Sequence, residues 1–205
     1  MKLTEIYDSV VAEGSSGFAE VIAVLEETGT RYAVIGGLAI NAYVEPVFTA
    51  DADIVIALSE IDRFTEALLG RGYTVERYPF SLNFRKFGSD LSLQISTDPV
   101  YQDFLDRIVT KDVLNVQAKV ASLPDLVQGK IRAWSDPERR LSKRAKDQTD
   151  LFRIAERYPE MINLLPEKLK AEIIEDQVAR LHRTRRDIPR PPLSQGDREP
   201  PGLDR

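Results

Sequence analysis

With 205 residues, 42% of them apolar, the chain is long enough to bury one substantial core and to carry a small helical appendage. It has no cysteine and a single histidine, His182, which excludes disulfides, thiolate zinc sites and a histidine-rich metal centre, and argues against a Ser-His-Asp triad, so any metal must be held by carboxylates. A formal charge of −5 speaks against a general nucleic-acid coat while leaving room for a local basic patch. No run of about 18 apolar residues occurs, and the start Met-Lys-Leu-Thr-Glu lacks a secretory apolar stretch, so the expectation is a cytoplasmic protein with no membrane segment.

Residues Leu3 to Glu13 and Phe18 to Thr28 carry helical periodicity, the second run stopped by Gly29, which suits a left-handed C′ position. Arg31 to Ile35 predicts a strand, Gly36-Gly37 turns the chain into the segment Leu38 to Val44, and Glu45-Pro46 closes that segment. Thr49-Ala50-Asp51-Ala52-Asp53-Ile54-Val55-Ile56 predicts a second strand. Alternation places Asp51, Asp53 and Val55 on one face and Ala52, Ile54 and Ile56 on the other. Two carboxylates about 6–7 Å apart along a strand repel unless something positive sits between them, and a hard divalent cation with oxygen ligands is the usual answer. The pair therefore reads as a candidate magnesium clamp.

Ser59 with Asp62 reads as a capping box opening a helix that ends near Gly70-Arg71-Gly72. Three β-rich runs follow, Tyr73 to Arg77, Asn83 to Phe87 and Leu91 to Ser96, the last two joined by the hairpin turn Gly88-Ser89-Asp90. Tyr78, Phe80, Phe84 and Phe87 are expected in the hairpin core rather than as base-stacking platforms. Asp98-Pro99 caps a helix to about Arg107, and extended pieces lie around Val113 to Val120. Ser122 and Asp125 repeat the capping-box logic, with Leu123, Val127, Ile131 and Trp134 as a core stripe and Lys130 beside it.

After the polar loop Ser135 to Arg140, a helix from about Ser142 to Arg157 is expected to bury Leu141, Ala145, Phe152 and Ala155. Lys143, Asp147 and Asp150 fall on another face, and Lys143–Asp147 and Lys146–Asp150 have the i,i+4 spacing of ion pairs that decorate an exposed helix. Pro159 and Pro166 punctuate the final helices. His182 reads as a surface residue, and from about Thr184 the proline- and arginine-rich sequence predicts a disordered tail. The division expected is an α/β core over 1–120, a helical segment over 121–183 that completes the pocket, and a tail over 184–205.

Gly36-Gly37 has two readings: a tight strand-to-helix turn, or side-chain-free residues that let backbone N–H groups approach a triphosphate. Followed by the Asp51-x-Asp53 strand, the glycine pair resembles the nucleotidyltransferase superfamily. The segments Val120-Ala121-Ser122-Leu123-Pro124-Asp125-Leu126-Val127-Gln128-Gly129-Lys130, Arg139-Arg140 and Lys143-Arg144-Ala145-Lys146-Asp147-Gln148-Thr149-Asp150-Leu151 resemble its AbiEii/AbiGii-type toxin branch, which includes type IV toxin–antitoxin enzymes. The likeness spans roughly Arg31 to Pro159.

That resemblance implies an α/β fold, with a nucleotidyltransferase-like mixed β-sheet flanked by helices and a helical C-terminal segment. It implies a bacterial, nucleotide-binding, Mg²⁺-dependent transferase that moves a nucleoside monophosphate from an NTP to a hydroxyl of RNA, tRNA in particular, or of protein, with an antitoxin or regulator as partner. Asp51 and Asp53 would hold the metal, Gly36 and Gly37 would seat phosphates, and Lys130 and Asp147 would complete the active site. Such transfer needs mainly positioning and charge stabilisation, and a lysine offset by an acid that orients it or accepts a proton suits that need. The chain departs from the pattern where a third carboxylate activates the attacking hydroxyl: the aligned position holds Gln94, with Asp90 roughly 13 Å away on the same strand parity. Phe48-Thr49 stands where many relatives have an arginine. These departures support a second reading, a catalytically reduced member that binds a nucleotide or a partner and regulates by occupancy.

Overall fold

β-branched and aromatic residues in short alternating runs build the strands, because such side chains fit a pleated, half-buried surface. The computed structural model describes residues 16–49, 51–89 and 91–186; the helix expected over Leu3 to Glu13, Asp90 and the tail after Arg186 lie outside them. The chain divides into two compact units, Met1–Pro166 and Glu167–Arg205.

In the first unit, helix α1 covers residues 16–27. It is followed by β1 (Tyr32–Ile35), α2 (Gly36–Asn41), β2 (Asp51–Ile56), α3 (Ile61–Leu69), β3 (Tyr73–Tyr78), β4 (Ser81–Lys86) and β5 (Ser92–Ser96). A 3-10 segment Pro99–Asp106 leads into β6 (Ile108–Val113), β7 (Val116–Ala121), α4 (Leu123–Ser135) and α5 (Leu141–Arg157). The second unit's described element is α6 (Glu167–Arg186), which runs past Thr184, where the sequence predicts a tail. Ion pairs Lys170–Glu167 and Arg180–Asp176 lie one turn apart along it. No described helix is long and apolar enough to cross a membrane.

The strands form one mixed seven-stranded sheet in the order β3-β4-β5-β2-β1-β7-β6. β2 lies between β1, antiparallel, and β5, parallel, so Asp53 stands opposite Ile35 on one side and Gln94 on the other, and Asp51 opposite Ser92. One sheet face is apolar: Ala52, Ile54, Leu82, Phe84, Leu93 and Ile95 are buried. Phe84 meets Phe64 of α3 edge-on at 6.0 Å between ring centroids, and Glu20 of α1 holds both Tyr73 and Lys86.

Gly29 ends α1 with φ +61°, as its position after Thr28 predicts. Ser122 caps α4 by accepting from the Asp125 N–H and donating to the Asp125 carboxylate at 2.6 Å, and Arg107 grips the same carboxylate with two nitrogens. The capping box expected at Ser59 is absent. A 3-10 turn, Leu58–Glu60, precedes α3, which has no side-chain cap bond. Its Glu60 instead accepts from the Arg31 backbone N–H. The hairpin aromatics divide as well. Phe84 is fully buried, whereas Tyr78, Phe80 and Phe87 are exposed, because Tyr78 has the opposite strand parity, Phe80 sits in the β3–β4 turn and Phe87 lies in the turn after β4.

Candidate functional site

The β1-to-α2 turn is built around the left-handed backbone of Gly36, φ +68°, and around the side chain that packs on it. A Cβ at Gly36 would stand 2.1 Å from Asp53 Oδ2 and 2.9 Å from Asp53 Cβ. Only a residue without a side chain lets the carboxylate of β2 lie against this turn. Gly37 follows, with the Thr49 hydroxyl as its nearest neighbour, 3.4 Å from where its Cβ would be. Gly36→Ala is expected to cost about 1–3 kcal/mol for the left-handed backbone alone and to displace Asp53, read as a lowered melting temperature together with lost nucleotide transfer.

Asp51 and Asp53 both border the polar end of a cleft, about 280 Å³, that Lys130, Arg139, Lys143 and Lys146 also reach. Burial pushes the Asp53 carboxyl up from its ordinary range and the neighbouring Asp51 adds to that, while Lys130, Lys146 and Lys143 pull it back. A buried carboxylate with a second one beside it on the same strand face is a site that favours a cation. Among the described residues no cluster of three or more acidic, histidine or cysteine side chains is arranged to hold a metal, so a cation here has these two carboxylates as its protein anchors. Magnesium fits that donor set, since it is bound by one or two carboxylates with water and substrate phosphates completing its shell.

The opposite wall is an ion-pair cluster between α4 and α5. Lys130 Nζ lies 2.8 Å from Asp147 Oδ1 and 2.7 Å from Asp150 Oδ2. Arg139 Nε reaches the other Asp147 oxygen at 2.7 Å and Arg153 the other Asp150 oxygen at 2.8 Å. The Asp147 and Asp150 side chains are only 2% and 3% exposed. Burial alone would lower the Lys130 ammonium, but Asp150 and Asp147 outweigh it and hold it above the ordinary lysine value.

This corrects the expected burial of α5: its inner face is Asp147, Asp150, Leu151, Ile154 and Ala155, while Leu141 is 77% exposed and Ala145 also faces solvent. Asp147 and Asp150 are not decorations of an exposed helix. Their described partners are on α4, the α4–α5 loop and the next turn of α5, and Lys143 and Lys146 turn toward the acidic strand instead.

A second, less polar half of the cleft, about 170 Å³, shares Asp53, Gln94, Lys130, Arg139 and Asp147 with the first and adds Tyr101, Phe104, Leu126 and Ala133. Tyr101 and Phe104 meet edge-on at 5.2 Å. Gln94 is exposed and borders both halves. The structure thus brings together Gly36, Gly37, Asp51, Asp53, Gln94, Lys130 and Asp147; Asp90 lies outside the described residues.

A family model described as "Nucleotidyl transferase AbiEii toxin, Type IV TA system" matches residues 22–201. The chain belongs to the AbiEii nucleotidyltransferase toxin family. No curated protein matches it. Among solved structures, the solution structure of the antibiotic-resistance factor ANT(2'')-Ia is similar at 13% identity and a TM-score of 0.55, covering 91% of this chain and 100% of that one. ANT(2")-Ia in complex with adenylyl-2"-tobramycin gives 14% and 0.54, over 80% and 97%. An antigenic nucleotidyltransferase-like protein from Paracoccidioides brasiliensis gives 18% and 0.51, over 86% and 90%. At these identities the likeness is one of fold.

Set in an AbiEii nucleotidyltransferase, the residues that sequence reasoning left without a role become a group. Arg139, Lys143 and Lys146 supply cations to the acidic strand, Asp150 shares Lys130 with Asp147, and Tyr101 lines the less polar half. A signal for the buried acids was present: Asp147, Asp150, Leu151 and Ile154 fall at i, i+3, i+4 and i+7, so two acids occupy places in an apolar stripe.

Proposed function

We propose that the chain transfers a nucleoside monophosphate from an NTP to a hydroxyl of RNA, tRNA in particular, or of protein, in a Mg²⁺-dependent reaction. The same reading puts this transfer in a bacterial cytoplasm, with an antitoxin or regulator protein as the partner that the toxin family implies. The observation that supports this most is that the paired acids of β2 and the cations of α4 and α5 border one cleft.

Asp51 and Asp53 would hold Mg²⁺, which when bound offsets the negative charge that gathers on transferring phosphoryl oxygens. Gly36 and Gly37 leave backbone bare beside Asp53 for the phosphates. Arg139, Lys143 and Lys146 offset the charge of the triphosphate. Lys130 is balanced by two aspartates, so its part is to fix the wall of the cleft and to lend its charge to Asp53. Asp147 has both oxygens engaged by Lys130 and Arg139, which suits orientation of those cations rather than proton acceptance. Tyr101 and Phe104 offer flat apolar surface to the base.

In the transfer the acceptor oxygen bonds to the α-phosphorus, the bond from that phosphorus to the bridging oxygen breaks, and diphosphate leaves. The hydroxyl proton passes to solvent, since the Gln94 amide cannot take it.

Each α-labelled NTP, incubated with the full chain, Mg²⁺ and either total RNA or total protein, tests the reading. Label in one fraction, lost on adding EDTA, is the expected result; no label in either with any NTP overturns it. Gln94 opposite Asp53 favours a second reading, a member that binds nucleotide or a partner without turnover. That reading requires saturable NTP binding with no label transferred.

A further inference from the structure

Asp51 and Asp53 are held in place by different means. Asp53 lies inside β2, between Ile35 of β1 and Gln94 of β5, and packs on Gly36. Asp51 opens the strand, and the β1–β2 pairing ends at Asp53, so Asp51 has a sheet partner on one side only, Ser92 of β5. A strand end paired on one side takes its position from the chain that feeds it. Here that chain is the segment 42–49, in which Glu45, Pro46, Val47 and Phe48 are all exposed, so no buried side chain anchors its middle.

Polar groups from two helices brace it instead. Asn41, the last residue of α2, donates through Nδ2 to the Val47 carbonyl at 2.7 Å and accepts from the Val47 N–H at 3.1 Å. Arg153 of α5 donates to the same Asn41 oxygen at 3.3 Å and to the Glu45 carbonyl. Its other terminal nitrogen holds Asp150 Oδ1 at 2.8 Å, and Asp150 meets Lys130 with Oδ2. An exchange of the Asn41 oxygen and nitrogen would set donor against donor, so these partners fix its orientation. Arg153 thus reaches back 108 residues to Glu45 and joins the buried ion-pair cluster to the segment before β2. Just past Val47, the Thr49 hydroxyl accepts from the Asp51 N–H at 3.4 Å, and Thr49 borders the polar end of the cleft with Gly37 and Asp51.

We propose that Arg153 is a positioning residue of the transfer site: with Asn41 it braces the segment 42–49 and so holds Asp51 beside Asp53 for a shared cation. The inference rests on the reading of Asp51 and Asp53 as the metal-holding pair. Two carboxylates make a metal site only while both keep their geometry, and groups that hold a ligand from behind are worth about 10–100-fold in metal affinity. The planar guanidinium suits this part, because it engages a carboxylate, a side-chain amide and a backbone carbonyl along fixed directions at once. A lysine ammonium keeps the charge for Asp150 but not that span.

Arg153→Lys and Asn41→Ala, each in the full chain, are compared with the unmodified chain by amide hydrogen exchange over residues 42–51 in EDTA. The rise of melting temperature with Mg²⁺ concentration gives the Mg²⁺ dissociation constant, and label transfer gives the NTP KM. Both variants are expected to exchange faster over this segment and to bind Mg²⁺ about 10-fold more weakly, with the NTP KM at saturating Mg²⁺ within about twofold. The double variant is expected to bind Mg²⁺ no more weakly than the poorer single one, since the two side chains form one brace. A role in stability alone lowers the melting temperature and leaves the Mg²⁺ constant unchanged; that result overturns the inference, as does unchanged exchange in both variants. A melting temperature of the unmodified chain that does not respond to Mg²⁺ overturns the metal reading of Asp51 and Asp53, and the positioning role with it.

Discussion

Asp53→Asn is expected to lower nucleotidyl transfer by at least about 10³-fold, roughly 4 kcal/mol of transition-state stabilisation, and at the same time to raise the melting temperature of the metal-free chain. The two effects have one origin. Asp53 is held against the bare backbone of Gly36, and burial followed by the neighbouring acid Asp51 makes its charge unfavourable there. A cation held by Asp51 and Asp53 would remove that cost by offsetting their charge, so the unfavourable charge would serve a purpose only with metal bound. The amide of asparagine has the same shape and no charge; it relieves the repulsion and forfeits the metal anchor. Differential scanning fluorimetry in EDTA and label transfer in Mg²⁺ read the two effects separately. Transfer within tenfold of the parent would remove Asp53 from the metal site. A fall in melting temperature would show that the carboxylate serves the fold instead.

The part of this site that local spacing encodes was open to reading from the chain. Strand alternation puts Asp51 and Asp53 on one face wherever the strand lies, a glycine pair before it marks a turn with bare backbone, and the family resemblance aligned Gln94 with an acid of the neighbouring strand, which the β2–β5 register sets level with Asp53. The fold class followed from the family resemblance that these residues carry. What spacing does not encode is which distant element supplies a partner. Asp147 and Asp150 are matched in sequence by Lys143 and Lys146 one turn away, yet their carboxylates turn inward to Lys130, 17 residues before Asp147, because an acid on a helix's inner face must find its cation across the helix interface. Tyr78 and Phe87 read as core by residue type; Tyr78 is exposed by parity and Phe87 by its place in the turn after β4. Tyr101 sits on a 3-10 segment whose docking beside β2 depends on tertiary contacts such as Gln102 donating to the Ile56 carbonyl. The sheet order, with β7 placed beside β1, likewise joins runs that no local pattern links.

Lys130→Met carries the second large effect, and it falls on the fold. The ammonium is the shared cation of two nearly fully buried carboxylates, Asp147 and Asp150. Methionine keeps most of the side chain's apolar stem, so packing changes little and the lost charge dominates. Arg139 and Arg153 remain on the outer oxygens, but each aspartate keeps an oxygen facing the place the ammonium held. Removing one partner from a buried pair costs about 3–5 kcal/mol, which at this chain length is a fall of roughly 6–20 °C in melting temperature. Transfer is lost as well, because α5 then no longer holds Lys143 and Lys146 over the acidic strand. Adding Asp150→Asn to Lys130→Met takes away one of the stranded charges and is expected to recover part of the stability without recovering transfer. That non-additivity is the mark of a shared ion-pair cluster. A lysine whose only task was to meet a triphosphate would behave in the opposite way: Lys130→Met would melt within about 0.5 kcal/mol of the parent, as changes free of structural partners do, and Asp150→Asn would restore nothing. The melting curves of the single and double variants therefore separate a wall of the cleft from a phosphate ligand.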